Sequence, residues 1–168
     1  MPGFAVVTIS DRCAAGQQAD TAGPAVAKLM SAQWPDETIG RGLVPDNEDA
    51  IMTLLHELCH QEYELILTAG GTGMGPRDVT PEATRRVIDR EVPGLTEAMR
   101  SVSARSNQFA WLSRAVAGLK GKTLIVNLPG SERGATESLA VILPLLPHAL
   151  AVIAGTGKHP TDEWVTTR

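Results

Sequence analysis

The sequence predicts an α/β protein with helices on both sides of a mixed, mostly parallel sheet. Three observations carry that expectation. Short apolar runs of strand length alternate with longer segments whose apolar residues fall at helical spacing. Two late apolar runs flank Lys120-Gly121-Lys122, a tight turn that makes at least one antiparallel pair. The chain has 168 residues, of which 43% are hydrophobic and 20% charged, enough for one domain with a sizeable core. Aromatic residues make up only 4%, so Ala, Val, Leu and Ile must build that core.

Phe4 to Ile9 is short and continuously apolar, as a buried strand requires. A polar loop, "SDRCAAGQQADTAG", follows. Pro24 then suits the first turn of a helix through "AVAKLMSAQW". "ETIGRGLVP" is a weaker strand, ended by Pro45. A helix is expected from about Asn47 to Gln61, capped by Asp46 or Asn47. "ELILTAGG" is a strand that stops on glycines. Thr80 as cap, Pro81 in first position and Glu82 in the first turn start a helix through "TPEATRRVIDR". "VPGLTEAMRSVSAR" predicts another. "AVAGLKGKTLIVNLPG" predicts the hairpin, and "ATESLAVILPLLPHALAVIAG" a buried helix kinked or broken at Pro144 or Pro147. Residues 1–155 read as the domain and 156–168 as a polar tail.

Composition excludes several classes. A net charge of −4 leaves no footprint for nucleic acid. The longest apolar stretch is shorter than the roughly 20 residues needed to span a bilayer, and it holds two prolines and a histidine. No membrane role is expected, and no secretory signal is visible, so the expected location is the cytoplasm. Two cysteines, Cys13 and Cys59, make no disulfide framework and read as free thiols.

Two motifs mislead. "HELCH", His56 to His60, fits the zinc-protease pattern H-E-x-x-H. Each helical residue advances roughly 100°. The stripe Ile51, Leu54, Leu55, Leu58 therefore faces inward, and His56 and His60 face solvent with no cleft to work in. No third ligand follows at the required spacing. "VAGLKGKT" resembles a phosphate-binding P-loop, but Val116 stands where glycine is needed and a strand follows instead of a helix. "GGTGMG" also lacks the spacing of a dinucleotide fingerprint.

The stretch "TAGGTGMGPRDVTPEAT" carries the chemistry. Gly70, Gly71, Gly73 and Gly75 follow a buried strand and allow backbone N–H groups to approach a phosphate. Thr72 adds a hydroxyl, Arg77 a cation and Asp78 an anion. The bland alternative is a glycine turn with Arg77 and Asp78 as a local ion pair. Ligands of open α/β sheets bind beyond the carboxyl ends of the strands. If the strands run parallel, "SDR", "VPDN" and "NLPGS" share that edge, which gathers Asp11, Asp46 and Asp78 near the glycines. Carboxylates beside a phosphate site suggest Mg²⁺ and phosphoryl or nucleotidyl transfer. For each aspartate alone, a cap or turn role is the alternative.

"GGTGMGPRDVTPEAT", with "SDR", "DTAGP", "VPDN", "LSRAVAGLKGKTLIVNLPGS" and "ILPLLPHAL", resembles the molybdenum-cofactor biosynthesis domain family over roughly residues 4 to 154. The branch it resembles is molybdopterin adenylyltransferase, which includes domains related to the N-terminal part of gephyrin. The resemblance implies a three-layer αβα sandwich with a mixed, mostly parallel sheet, assembled as a homotrimer. It implies transfer of AMP from ATP to molybdopterin with Mg²⁺, and hand-over partners in molybdenum cofactor biosynthesis. Carried over residue by residue, the essential aspartates fall on Asp46 and Asp78, with Mg²⁺ and phosphate alignment as their role. The loop Gly70 to Gly75 would hold the nucleotide. Ser10, Asp11, Asp20, Ser103, Ser113, Arg114 and the run Asn127, Pro129, Gly130, Ser131 match positions lining the family's pterin and nucleotide pocket. The branch without activity departs at "RDVTPEAT", which this chain keeps whole. The competing expectation is a non-catalytic molybdopterin carrier of the same fold.

Overall fold

The computed structural model describes residues 3–157. Its strands are β1 (Phe4–Ile9), β2 (Ile39–Val44), β3 (Leu65–Ala69), β4 (Arg90–Glu91), β5 (Ala117–Lys120) and β6 (Thr123–Leu128). They form one sheet in the order β2-β1-β3-β6-β5-β4. β1 runs parallel to β2 and β3, and β3 parallel to β6. β5 is antiparallel to both its neighbours. The sheet is therefore mixed and mostly parallel, as the apolar runs and the turn at Gly121 predict.

β1, β3 and β6 are buried along their whole length, so successive side chains enter two different cores. Phe4, Val6, Leu65, Leu67, Leu124, Val126 and Leu128 pack on one face, against Val26 and Met30 of α2 (Ala22–Gln33), Leu95 and Met99 of α5 (Pro93–Ser103), and Leu139 and Ile142 of α6 (Glu132–Ile142). Ala5, Val7, Ile9, Ile66 and Ile125 pack on the other, against α3 (Glu48–His60) and α4 (Thr80–Val87). These are the three layers of an αβα sandwich. α3 buries Ile51 and Leu55 fully, and Leu54 and Leu58 pack against the same core. Each fully buried side chain of this kind contributes about 2 kcal/mol.

Several local expectations change. Asn47, not Asp46, caps α3: its side chain accepts from the Ala50 N–H at 2.9 Å. Asp46 is thereby left for other work. Thr80 is the first helical residue of α4 and not its cap, because its hydroxyl turns inward to another partner. α4 ends at Val87, since Asp89 N–H is taken by Leu119 O and the chain joins the sheet as β4. The polar loop after β1 contains α1 (Asp11–Ala14), and Gln108–Leu112 form a 3-10 turn. The last helix breaks at Leu143–Leu145, around Pro144, giving α6 and α7 (Leu146–Ile153) bent by 64°. No single helix among the described residues is long and apolar enough to cross a membrane. The expected tail lies, from residue 158 on, outside the described residues.

Candidate active site

Parallel pairing in register brings four strand ends level: Ile9 pairs with Val44, Thr8 with Ala69, and Ala69 with Leu128. Ser10, Pro45, Gly70 and Pro129 therefore start four neighbouring loops on one edge.

The glycine loop is locked from one side. Gly70 has φ +122°, and a Cβ there would lie 2.0 Å from the Ile9 carbonyl oxygen. Gly71 has φ +63°, and its Cβ would meet Thr80 Oγ1 at 2.3 Å. Only glycine fits either position. The buried Thr80 hydroxyl donates to Gly70 O at 2.9 Å, and Thr80 N–H to Gly71 O at 3.2 Å. Arg114 N–H donates to Thr72 O at 2.9 Å, and Arg114 Nε to Gly73 O at 2.7 Å. Four consecutive carbonyls are thus bound. Among the described residues, the N–H groups of Gly71, Thr72, Gly73 and Met74 have no internal acceptor. Such a run of oriented amides attracts anions.

The carboxylates stand beside it. Asp11 N–H donates to Asp46 Oδ2 at 2.9 Å, and Asp46 N–H returns a bond to Asp11 Oδ1 at 3.0 Å. Arg77 grips Asp11 with two nitrogens, at 2.9 and 3.0 Å, and is not a local partner of Asp78. Asp78 Oδ2 instead accepts from Gly75 N–H at 2.8 Å. Arg77 beside Asp11 holds that carboxyl below the usual range. Burial pushes Asp46 up; the N–H of Asp11 opposes this, and the negative charges of Asp11 and Asp78 add to it. A cation there would relieve the crowding. Oδ1 of Asp46 and Oδ1 of Asp78 have no hydrogen-bond donor among the described residues.

On its other side the loop walls a cavity of about 460 Å³. Thr72, Gly73, Ser103, Ser113, Pro129, Gly130 and Ser131 line it, so seven of the residues expected at the site meet here. Met99, Phe109, Leu112 and Ala115 supply apolar walls of the kind that hold a flat ring. Phe109 is 68% exposed, Leu112 48% and Met74 66%, so the rim is apolar too.

Four expected residues are used differently. Ser10 caps α1 by accepting from Cys13 N–H. Asp20 accepts from Thr8 Oγ1, Gly23 N–H and Arg41, tying α2 to the sheet outside the cavity. Asn127 is fully buried: its Oδ1 accepts from Val116 N–H, and its Nδ2 donates to Thr68 and Thr84. It touches no open space. Arg114 spends its guanidinium on the protein, on Gly73 O, Asp78 O and Glu82.

The expectation that His56 and His60 have no cleft is corrected. Together with Cys59, Tyr63, Asp89 and the turn at Gly121 they border a hollow of about 590 Å³, because that turn and the end of α7 stand alongside α3. Even so, no three His, Cys, Asp or Glu among the described residues are placed to hold a metal ion.

Residues 5–148 match the family described as "Probable molybdopterin binding domain". The chain belongs to this family. It is 42% identical over 151 residues to "Molybdenum cofactor synthesis protein cinnamon" of Drosophila melanogaster, covering 89% of this chain but 25% of that protein. It thus spans about a quarter of that longer relative. It is 36% identical over 152 residues to "Molybdopterin adenylyltransferase" of Helicobacter pylori (strain J99), covering 89% of this chain and 86% of that one. Among solved structures, the molybdopterin biosynthesis enzyme MoaB from Thermus thermophilus superposes with a TM-score of 0.85 at 47% identity, covering 94% of this chain and 99% of that chain.

Within the family fold, Thr96, Met99, Arg100, Asn107 and Phe109 line the cavity without having been expected. They come from α5 and the 3-10 turn, where no motif marks them. A signal that could have marked the turn is "SNQFAW", two aromatic residues in a polar segment.

Proposed function

We propose that this chain is a molybdopterin adenylyltransferase, which transfers AMP from ATP to molybdopterin and releases pyrophosphate. One observation carries the reading: four unsatisfied loop amides lie between a crowded Asp46–Asp78 pair and a cavity with apolar walls. The chain also spans most of a relative named for that activity.

In this reading an oxygen of the molybdopterin phosphate attacks the α-phosphorus of ATP. A new P–O bond forms, the bond to the β-phosphate's bridging oxygen breaks, and pyrophosphate leaves. The amides of Gly71 to Met74 donate to the phosphoryl oxygens as charge shifts between them. Their alignment is set in advance, so it costs little reorganisation. The hydroxyls of Ser103, Ser113 and Ser131 and the apolar wall orient the heterocyclic parts.

The donor set fits Mg²⁺. That ion takes one or two carboxylates and completes its shell with phosphates and water, so it needs no three-residue protein cage. Asp46 Oδ1 and Asp78 Oδ1 would hold it, and it would supply charge neutralisation for the phosphates. Arg77 keeps Asp11 ionised and in place, so Asp11 N–H stays on Asp46. A homotrimer, hand-over partners in the same biosynthetic route and a cytoplasmic location belong to this reading; light scattering on the pure protein tests the trimer.

The decisive experiment incubates the protein with molybdopterin, Mg²⁺ and ATP and measures pyrophosphate. Release is expected, and its loss in Asp46→Ala/Asp78→Ala. Full activity in that double variant would overturn the site. Tight molybdopterin binding with no pyrophosphate under any metal condition would make the chain a carrier.

A further inference from the structure

We infer that Glu82 is a positioning residue for adenylyl transfer, acting through Arg114 to hold the glycine loop and the Asp78 backbone in working order; this rests on the reading above. Glu82 lies in the first turn of α4, and Arg114 lies far along the chain after the 3-10 turn. Arg114 Nη1 donates to Glu82 Oε1, and Nη2 lies 3.4 Å from Oε2. The same guanidinium donates Nε to Gly73 O at 2.7 Å and Nη2 to Asp78 O at 2.6 Å. Its backbone N–H takes Thr72 O at 2.9 Å.

A guanidinium has five N–H bonds in a fixed planar fork. Four of them go to protein oxygens here, in two directions. Two of those acceptors are neutral carbonyls of the loop, and only Glu82 carries charge. The carboxylate therefore fixes the plane and angle of the fork, and the fork fixes Gly73 and Asp78. Arg114 beside it holds the Glu82 carboxyl below the usual range, which favours the ionised pair. With the carbonyls of Thr72 and Gly73 turned toward Arg114, the N–H groups of Gly73 and Met74, which share those peptide planes, face the other way. Without Glu82, the half-exposed guanidinium is free to leave the carbonyls for solvent or for a substrate phosphate.

Glu82→Gln, Glu82→Ala, Arg114→Ala and Glu82→Ala/Arg114→Ala test this by two independent readouts. The first is hydrogen exchange. The hydrogen-bonded amides of this segment, those of Gly75, Asp78 and Thr80, are expected to exchange at least about tenfold faster in Glu82→Ala, with β1 and β3 unchanged. The second is steady-state pyrophosphate release. Turnover is expected to fall about tenfold in Glu82→Gln and up to about a hundredfold in Glu82→Ala, with KM for ATP within about twofold. The double variant is expected to lose no more than Arg114→Ala alone, because the two residues act as one unit. Wild-type exchange and turnover in Glu82→Ala would overturn the inference. So would a loss spread over β1 and β3, which marks a general stabiliser, or a rise in KM alone, which marks a substrate contact. If the wild type releases no pyrophosphate, the adenylyltransferase reading fails, and the exchange measurement still decides whether Glu82 braces the loop.

Discussion

At the carboxyl end of the parallel strands, the turn at Gly70–Gly75 leaves four N–H groups without an internal acceptor among the described residues. At the opposite end, the turn at Lys120–Lys122 is tied to the protein: Lys120 Nζ donates to Asp89 Oδ1 at 2.8 Å and Gly121 N–H to Asp89 Oδ2 at 2.9 Å. The hollow at this second end is the larger, about 590 Å³ against about 460 Å³. Volume therefore does not choose the site. Unspent hydrogen-bonding capacity does, because a buried or oriented polar group without a partner is a group built for a ligand. Charge makes the same point: with Arg77 spent on Asp11, Asp46 and Asp78 have no ion-pair partner among the described residues, while Asp89 at the other end is paired with Lys120.

The largest effects that would break this contrast are on turnover. Asp46→Ala and Asp78→Ala are each expected to lower pyrophosphate release at least about a hundredfold, the scale of removing a group that stabilises transferring charge. Losses below about threefold in both would remove the functional distinction between the ends.

Next come the two glycines. Gly70→Ala places a methyl 2.0 Å from Ile9 O at φ +122°, so the strand end must shift. A cost above about 3 kcal/mol is expected, seen as a melting temperature lowered by about 10 °C or as failure to fold. Gly121 also has a positive φ, +56°, but nothing lies within 4 Å of its Cβ. Gly121→Ala should cost only about 1–2 kcal/mol, the left-handed backbone penalty alone. Equal melting temperatures for the two variants would mean that close packing does not define the glycine loop.

This difference also explains what could be read in advance. The strands Phe4–Ile9, Leu65–Ala69 and Thr123–Leu128 were legible because both their faces are buried, so nearly every residue is apolar or small. β4 was not: Arg90 and Glu91 are exposed and charged, and only pairing with β5 makes them a strand. At the site, Asp11, Asp46, Asp78 and the glycines stood out as polar and flexible residues where apolar runs stop. Their pairing was hidden, because Arg77 reaches Asp11 across 66 positions. The inward use of Asn127 had a signal, an amide in the middle of "TLIVNL", where a buried polar group must be fully bonded. The turning of Arg114 toward the loop carbonyls had none.

A smaller effect sharpens the electrostatic half of the comparison. The folded-state pKa of Asp46 is raised, so its protonated form is the one the fold favours. Its contribution to stability is present below the unfolded value near 3.8 and is lost as pH rises through the folded value. At neutral pH the ionised carboxylate therefore burdens the fold. Asp46→Asn keeps an oxygen for the Asp11 N–H and removes the charge. Its melting temperature is expected to exceed wild type by about 1–3 °C at neutral pH while turnover collapses. The gain should vanish near the unfolded value, where wild-type Asp46 is itself largely neutral. A gain that persists at low pH would mean that packing, not charge, explains it. The lowered groups, Asp11 and Glu82, act in the opposite sense, stabilising above the usual carboxylate range and losing that contribution as pH falls.

The smallest expected effect is at His56 and His60. Both border the larger hollow, and with Glu57 they complete a metalloprotease pattern, so they are where a search by motif and volume would look first. No three His, Cys, Asp or Glu among the described residues are placed to hold a metal there. The helix that carries them is held by Ile51 and Leu55 on its other side. His56→Ala/His60→Ala should therefore leave pyrophosphate release within about twofold of wild type and stability within about 0.5 kcal/mol. Elemental analysis should find no stoichiometric zinc in either protein. Zinc that is present in the wild type and lost in the variant would restore the second end of the sheet as a site in its own right. A turnover loss in the variant without zinc would mean that the two ends communicate through β3, which follows directly on Glu64 at the hollow and ends at the glycine loop.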